Sequence, residues 1–152
     1  MVIYQEKQIS WLTILLVALT IGLMTVAFFH EENDSITLPW YIFLLVIFVL
    51  TILQTFQMKT TVDSDRISII YGIGWIRKNI SLKDISEISL VRGKWREGAG
   101  IRYLIGGTLY SINFTNSVKL KFHHKLRFIR IGSKNPEQLQ QAIQKARHFY
   151  QK

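Results

Sequence analysis

Two long stretches without a charged side chain dominate the first part of the chain, and short apolar–polar alternations dominate the rest. Trp11 to Phe29 reads WLTILLVALTIGLMTVAFF, and Ile36 to Met58 reads ITLPWYIFLLVIFVLTILQTFQM. A helix needs about 20 apolar residues to cross the ~30 Å hydrocarbon core of a bilayer, whereas a buried core helix is usually shorter and amphipathic. The pattern predicts two membrane-spanning helices, over about 11–29 and 38–58, joined by a short acidic loop at 30–35. The competing reading of the first run is a signal peptide, since Thr25-Val26-Ala27 is a faint cleavage pattern. That run exceeds the usual apolar stretch of about 7–15 residues, and only Lys7 and the amino terminus lead it with positive charge.

From Lys59 the period shortens to two. Strands are expected at Lys59–Val62, Ile67–Tyr71, Ile76–Leu82, Glu87–Val91, Thr108–Phe114, Val118–Phe122 and Leu126–Ile131. Turn chemistry separates them at Asp63-Ser64-Asp65, Gly72 and Gly74, Thr115-Asn116 and His124-Lys125. Arg92 to Gly107 holds five of the nine glycines and reads as a long loop. Asn135 can cap a final helix, with Pro136 at its first position and Gln138 completing a capping-box-like arrangement. Leu139, Ala142, Ile143 and Ala146, then Phe149 and Tyr150, form its apolar stripe. The expectation is a helical transmembrane hairpin followed by about seven antiparallel strands in a small bent sheet or open barrel, capped by an amphipathic helix. Residues 1–58 then form the N-terminal segment and hairpin, and 59–152 a separate domain.

Charge orients this layout. The net charge of +9 is uneven: from Lys59 onward eighteen Lys or Arg stand against six acids, a balance of +12. The 30–35 loop carries Glu31, Glu32 and Asp34 with no Lys or Arg, whereas Lys7 precedes the first run and Lys59 and Arg66 follow the second. The positive-inside rule therefore puts both termini in the cytoplasm and the loop outside a cell membrane. Trp11 would sit at the inner interface, and Trp40 and Tyr41 at the outer one. The main polar residues of the spans (Thr13, Thr20, Thr25, Thr51, Gln54, Thr55) are not ionisable, which argues against a proton- or ion-coupled transporter. Ala18 and Gly22 admit close helix packing or an ordinary lipid-facing surface equally well.

The chemistry on offer is narrow. There is no cysteine, so thiolate metal sites and cysteine nucleophiles are excluded. His123 and His124 are adjacent on a strand and point to opposite faces, so they do not form a chelating pair. No P-loop and no nucleophile–base pattern is evident, and neither a catalytic residue, a metal nor a cofactor is expected. The best binding candidate is the basic-aromatic segment with Arg92, Lys94, Trp95, Arg96, Arg102 and Tyr103. Two readings stand: Trp95 inserts at a bilayer interface while the cations meet anionic headgroups, or the aromatics pack on the sheet and the cations are solvated. A second basic strip holds Lys119, Lys121, His123, Lys125 and Arg127, the first three on one strand face. It could serve phosphate, but a solvated face is the favoured reading, because antiparallel sheets usually show polar residues on one side.

Gly98-Ala99-Gly100-Ile101-Arg102, Gly106-Gly107, Tyr110 and Val118-Lys119-Leu120 resemble a glycine-Ile-Arg loop and the following strand pair of bacterial membrane proteins with a pleckstrin-homology-like domain. Ile131-Gly132-Ser133 and Asn135-Pro136-Glu137-Gln138-Leu139 resemble that family's exit from the last strand and start of the capping helix. An aromatic often precedes the Gly-Ile-Arg, where Ala99 stands here. The resemblance covers about 59–147 plus the hairpin and implies a mainly-β, pleckstrin-homology-like domain behind two transmembrane helices. It implies no single activity, although some members are implicated in resistance to membrane-active peptides. The resulting expectation is a non-enzymatic membrane-anchored module that binds anionic phospholipid headgroups or another membrane protein. The alternative is an accessory or protection protein, giving tolerance to membrane-active peptides or belonging to an export complex. Nucleic acid fits the charge but fits the membrane tether poorly.

Overall fold

In the computed structural model, which describes residues 1–30, 38–93, 100–112, 116–124 and 126–150, both uncharged runs form long helices, the second ending at Thr55 rather than at Met58 because Gln57 and Met58 already belong to a strand. They are α1 (Trp11–His30) and α2 (Leu38–Thr55), and both are long and apolar enough to cross a membrane. No residue in either apolar window is buried inside the protein. The helices meet where the Thr25 and Tyr41 hydroxyls lie 2.9 Å apart and Phe28 stacks on Tyr41 at 4.6 Å. Gly22 has open space where a Cβ would stand, so the Ala18–Gly22 pair is not a close-packing seam.

A strand that alternation did not suggest precedes the hairpin. β1 (Val2–Ile9) pairs antiparallel with β2 (Gln57–Asp63), so the two helices stand where a hairpin turn would join these strands. The Ser10 N–H donates to Phe56 O at 2.9 Å and closes the base of the hairpin. β3 (Arg66–Tyr71) and β4 (Ile76–Ser81) continue the antiparallel order to give a sheet β1-β2-β3-β4. A single tight helical turn (Leu82–Asp84) then leads to the second sheet. It comprises β5 (Ile85–Val91), β6 (Gly100–Leu104), β7 (Gly107–Ser111), β8 (Ser117–Phe122) and β9 (Phe128–Gly132), in the order β5-β8-β9-β7-β6.

Three expectations change here. Among the described residues there are nine strands rather than about seven, because β1 and β6 were not anticipated. β6 lies inside Arg92–Gly107, so that stretch is not one long loop. β7 and β9 run parallel, so the strands are not all antiparallel. Among the described residues no strand of one sheet pairs with a strand of the other, so the strands make two sheets that share one core, without the ladder that would close a barrel.

The core lies between the sheets and is covered by α3 (Pro136–Tyr150), whose Leu139, Ile143 and Ala146 pack with Met58, Val62, Ile67, Val118 and Leu120. This is the stripe that the 3.6-residue period requires. β1 is an edge strand and is latched across the gap. Its buried Gln8 donates from Nε2 to Gly132 O at 2.9 Å. Its Glu6 accepts from Ser133 Oγ at 2.6 Å and from the Lys134 N–H at 2.7 Å.

Candidate functional site

Strand register decides which cations share a face. Residues paired directly across an antiparallel ladder point to the same side of the sheet. Lys7 pairs with Lys59, Lys59 with Ile70, and Ile70 with Arg77, so one row runs across all four strands of the first sheet. The neighbouring row (Gln8, Met58, Tyr71, Ile76) faces the core, where Gln8, Met58 and Tyr71 are buried. The Lys7–Lys59–Arg77 row therefore lies on the outer face, with Lys7 and Arg77 exposed and Lys59 half-buried. The next outward row is Gln5, Thr61, Ser68 and Asn79, which is uncharged. Positive charge is thus concentrated in the row next to the helices: Lys7 is four residues before Trp11, and Lys59 four after Thr55.

The turn between β3 and β4 is fastened to the same place. The Gly72 N–H donates to Gln57 O, Gln57 Nε2 donates back to Gly72 O, and the Ile73 N–H reaches Leu53 O at 3.2 Å. Gly72 is required there: its φ is +55°, and a Cβ would stand 2.3 Å from Leu53 O. The turn presents Ile73 and Trp75, which are 50% and 64% exposed, and Trp11 at the foot of α1 is 73% exposed. Arg77 is oriented by its Nε–H donating to Gly74 O at 2.9 Å. A cationic row and three large exposed apolar residues thus collect at the base of the hairpin.

The residues singled out by composition are more scattered. Arg92 follows β5 and Arg102 lies on β6, and these are opposite edges of the five-stranded sheet, four strand spacings or roughly 19 Å apart in the sheet order. Tyr103 is 86% exposed, on the face of β6 opposite to Arg102. Lys94, Trp95 and Arg96 lie outside the described residues. Lys119 and Lys121 do share a face of β8, but both interact within the sheet. Lys121 Nζ bonds Glu87 at 2.7 Å, and Lys119 Nζ sits 4.2 Å from the centre of the Phe128 ring. The hydrogen bond and charge of Lys121 hold the Glu87 carboxyl below its ordinary range, with Lys119 adding to the effect.

Two cavities lie beside the sheets. One, of about 370 Å³, lies between the foot of the hairpin and both sheets, lined by Thr13, Thr51, Gln54, Thr55, Tyr71, Ile76, Gly100, Ile101 and Ile112. Burial pushes the Tyr71 hydroxyl far above its usual range, so it stays protonated and donates to Ser111 O. The other, of about 230 Å³, opens between β4 and the β7–β9 pair, with Lys78, Asp84 and Arg127 among its lining. Among the described residues no group of three or more His, Cys, Asp or Glu is arranged to hold a metal ion. The cationic row at the hairpin base was missed in the sequence because Lys7, Lys59 and Arg77 are far apart along the chain. Only the strand register joins them. No protein-family model and no curated protein matches the chain.

Proposed function

We propose that this chain is a non-enzymatic, membrane-anchored binding module whose hairpin crosses the cytoplasmic membrane and whose paired sheets engage anionic phospholipid headgroups on its inner face. The reading is supported first by α1 and α2, whose apolar windows are unburied and would otherwise present a large greasy surface to water. Cleavage of the first run as a signal would also remove β1 from its sheet. The flanking Lys7, Lys59 and Arg66 favour a cytoplasmic position for the sheets. We read the two facing sheets closed by α3 as a pleckstrin-homology-like arrangement.

The single observation that carries the ligand class is the Lys7–Lys59–Arg77 row. Headgroups and their interfacial layer extend about 5–8 Å beyond the hydrocarbon on each side. A row four residues from each helix end, with side chains able to snorkel toward the bilayer, meets that layer. Trp11 and Trp75 are the residue type that anchors there.

The test uses the full chain in mild detergent, with lipid retention measured by native mass spectrometry. Phosphatidylglycerol is expected to be retained over phosphatidylcholine, with the preference falling as salt rises. Each cation near an anionic surface contributes about 1 kcal/mol. Combined Lys7→Gln, Lys59→Gln and Arg77→Gln substitutions should therefore weaken phosphatidylglycerol retention by up to about 100-fold. Lys121→Gln should leave it nearly unchanged, because that cation is committed to Glu87. Equal retention of the two lipids, or indifference to the triple substitution, would overturn the reading.

A further inference from the structure

Four of the six main polar residues in the two apolar runs line one cavity. Thr13 of the first turn of α1 meets the 370 Å³ space at the hairpin base from one side, and Thr51, Gln54 and Thr55, which share one face at the end of α2, from the other. The remaining two are used locally: Thr20 donates to Leu16 O, and Thr25 donates to Ile21 O and meets Tyr41. The hydroxyl and ring contacts between α1 and α2, through Thr25, Phe28 and Tyr41, lie toward the other end of the hairpin.

Among the described residues the cavity wall is uncharged, and most of its hydroxyl hydrogens are already committed. Thr51 and Thr55 donate to Ile47 O and Thr51 O of their own helix, Tyr71 donates to Ser111 O, and Thr13 Oγ1 is paired with Ser10 Oγ at 2.7 Å. The carboxamide of half-buried Gln54 makes no hydrogen bond among the described residues, so it keeps both a donor and an acceptor toward the space. Opposite it, Tyr71 and Ile76 of the first sheet and Ile101 and Ile112 beside the second form an apolar floor continuous with the core. The volume falls in the range of ligand pockets, about 300–1,000 Å³.

From this geometry we infer that the cavity binds one acyl chain of a bilayer lipid, with the chain's ester carbonyl accepting from Gln54 Nε2. Among the described lining residues an anion has no cation to meet, and a free polar metabolite would find few unused donors. A lipid chain reaches the site from the bilayer, because the wall is formed by the ends of the two spans. The inference rests on the reading that the hairpin lies in a membrane. It is independent of the cationic row.

The experiment reconstitutes the full chain in nanodiscs with phosphatidylcholine carrying a diazirine in one acyl chain, and maps photocrosslinks by mass spectrometry. Crosslinks are expected on the cavity wall (Gln54, Thr55, Ile76, Ile101) as well as on outward residues such as Leu15 and Leu19. Ile101→Trp should fill the cavity and abolish the wall crosslinks while those on Leu15 and Leu19 persist. Gln54→Leu, which removes no bulk, should lower wall crosslinking about fivefold for the ester lipid and leave an ether-linked analogue unchanged, the size of one lost hydrogen bond. Crosslinks on Leu15 and Leu19 alone would overturn the acyl-chain site and leave the membrane reading intact. Crosslinks on neither set would overturn both. Displacement of wall crosslinks by a co-purifying protein segment, with no lipid dependence, would assign the cavity to a peptide and overturn the inference.

Discussion

Gly72 lies where the β3–β4 turn packs against the end of the second helix, beside the Ile73 N–H that donates to Leu53 O. With φ at +55° and carbonyl oxygens of Leu53 and Gln54 2.3 and 2.6 Å from any added Cβ, alanine there strains the backbone and separates the turn from α2. Gly72→Ala is expected to cost about 1–3 kcal/mol, read as a lower thermal unfolding midpoint of the full chain in detergent. Gly22→Ala is the contrast. Its surroundings are open and its backbone helical, so it should be neutral or stabilise by up to about 1 kcal/mol. Equal effects from the two would show that the turn is not held as described. Gly72 is legible in the sequence as a turn residue, but the reason for it is not, because the clash is with residues nearly twenty positions earlier.

Among the elements, β1 shows most clearly what pairing adds. VIYQEKQI has no clean alternation, and half-buried Ile3 and Tyr4 are adjacent, so a strand there earns little from pattern alone. It forms because the helical hairpin returns the chain to its start, and because Gln8 and Glu6 find partners on the β9–α3 connection. Glu6→Ala should remove three charge-assisted hydrogen bonds, from Tyr4, Ser133 and Lys134, and destabilise by about 1.5–3 kcal/mol. Hydrogen exchange should then accelerate at Ser133 and Lys134 together with β1. Acceleration confined to β1 would mean that the latch does not hold the helix connection. By contrast, α3 was legible because its stripe repeats at 3.6 residues and is amphipathic without help from distant residues. β6 was not, since Gly100 opens it and Gly106-Gly107 follow it in a glycine-rich stretch that reads as loop.

At the scale of the whole molecule, the hairpin is an insertion between two paired strands rather than a tether in front of a domain. A fragment beginning at Gln57 lacks β1 and leaves the β2 edge and part of the α3 contact surface uncovered. Such an edge invites pairing with another chain. The fragment is expected to self-associate in gel filtration. A version in which Asn-Gly replaces Ser10–Phe56, linking Ile9 to Gln57 as a two-residue hairpin, should run as a monomer, because those strand ends are already register partners. A monomeric, equally stable fragment without β1 would contradict this account. With both ends clamped, the first sheet meets the base of the hairpin in one orientation, which gives the Lys7–Lys59–Arg77 row a defined height relative to the helices.

The sequence alone determined the two long apolar helices, the acidic link between them, the excess of positive charge after Lys59 and the closing amphipathic helix. Each is written in a local run or period that no distant residue can change. Tertiary structure decided the rest. Pairing between β1 and β2 made a strand of a segment with no strand-like pattern, and register gathered three separated cations into one row. The meeting of two helix ends with two sheets put Thr13 of one helix and the Thr51–Gln54–Thr55 face of the other around one cavity. These are properties of contacts between residues far apart in the chain, so composition and spacing could raise Arg92 to Tyr103 as a cluster while the sheet order set Arg92 and Arg102 on opposite edges.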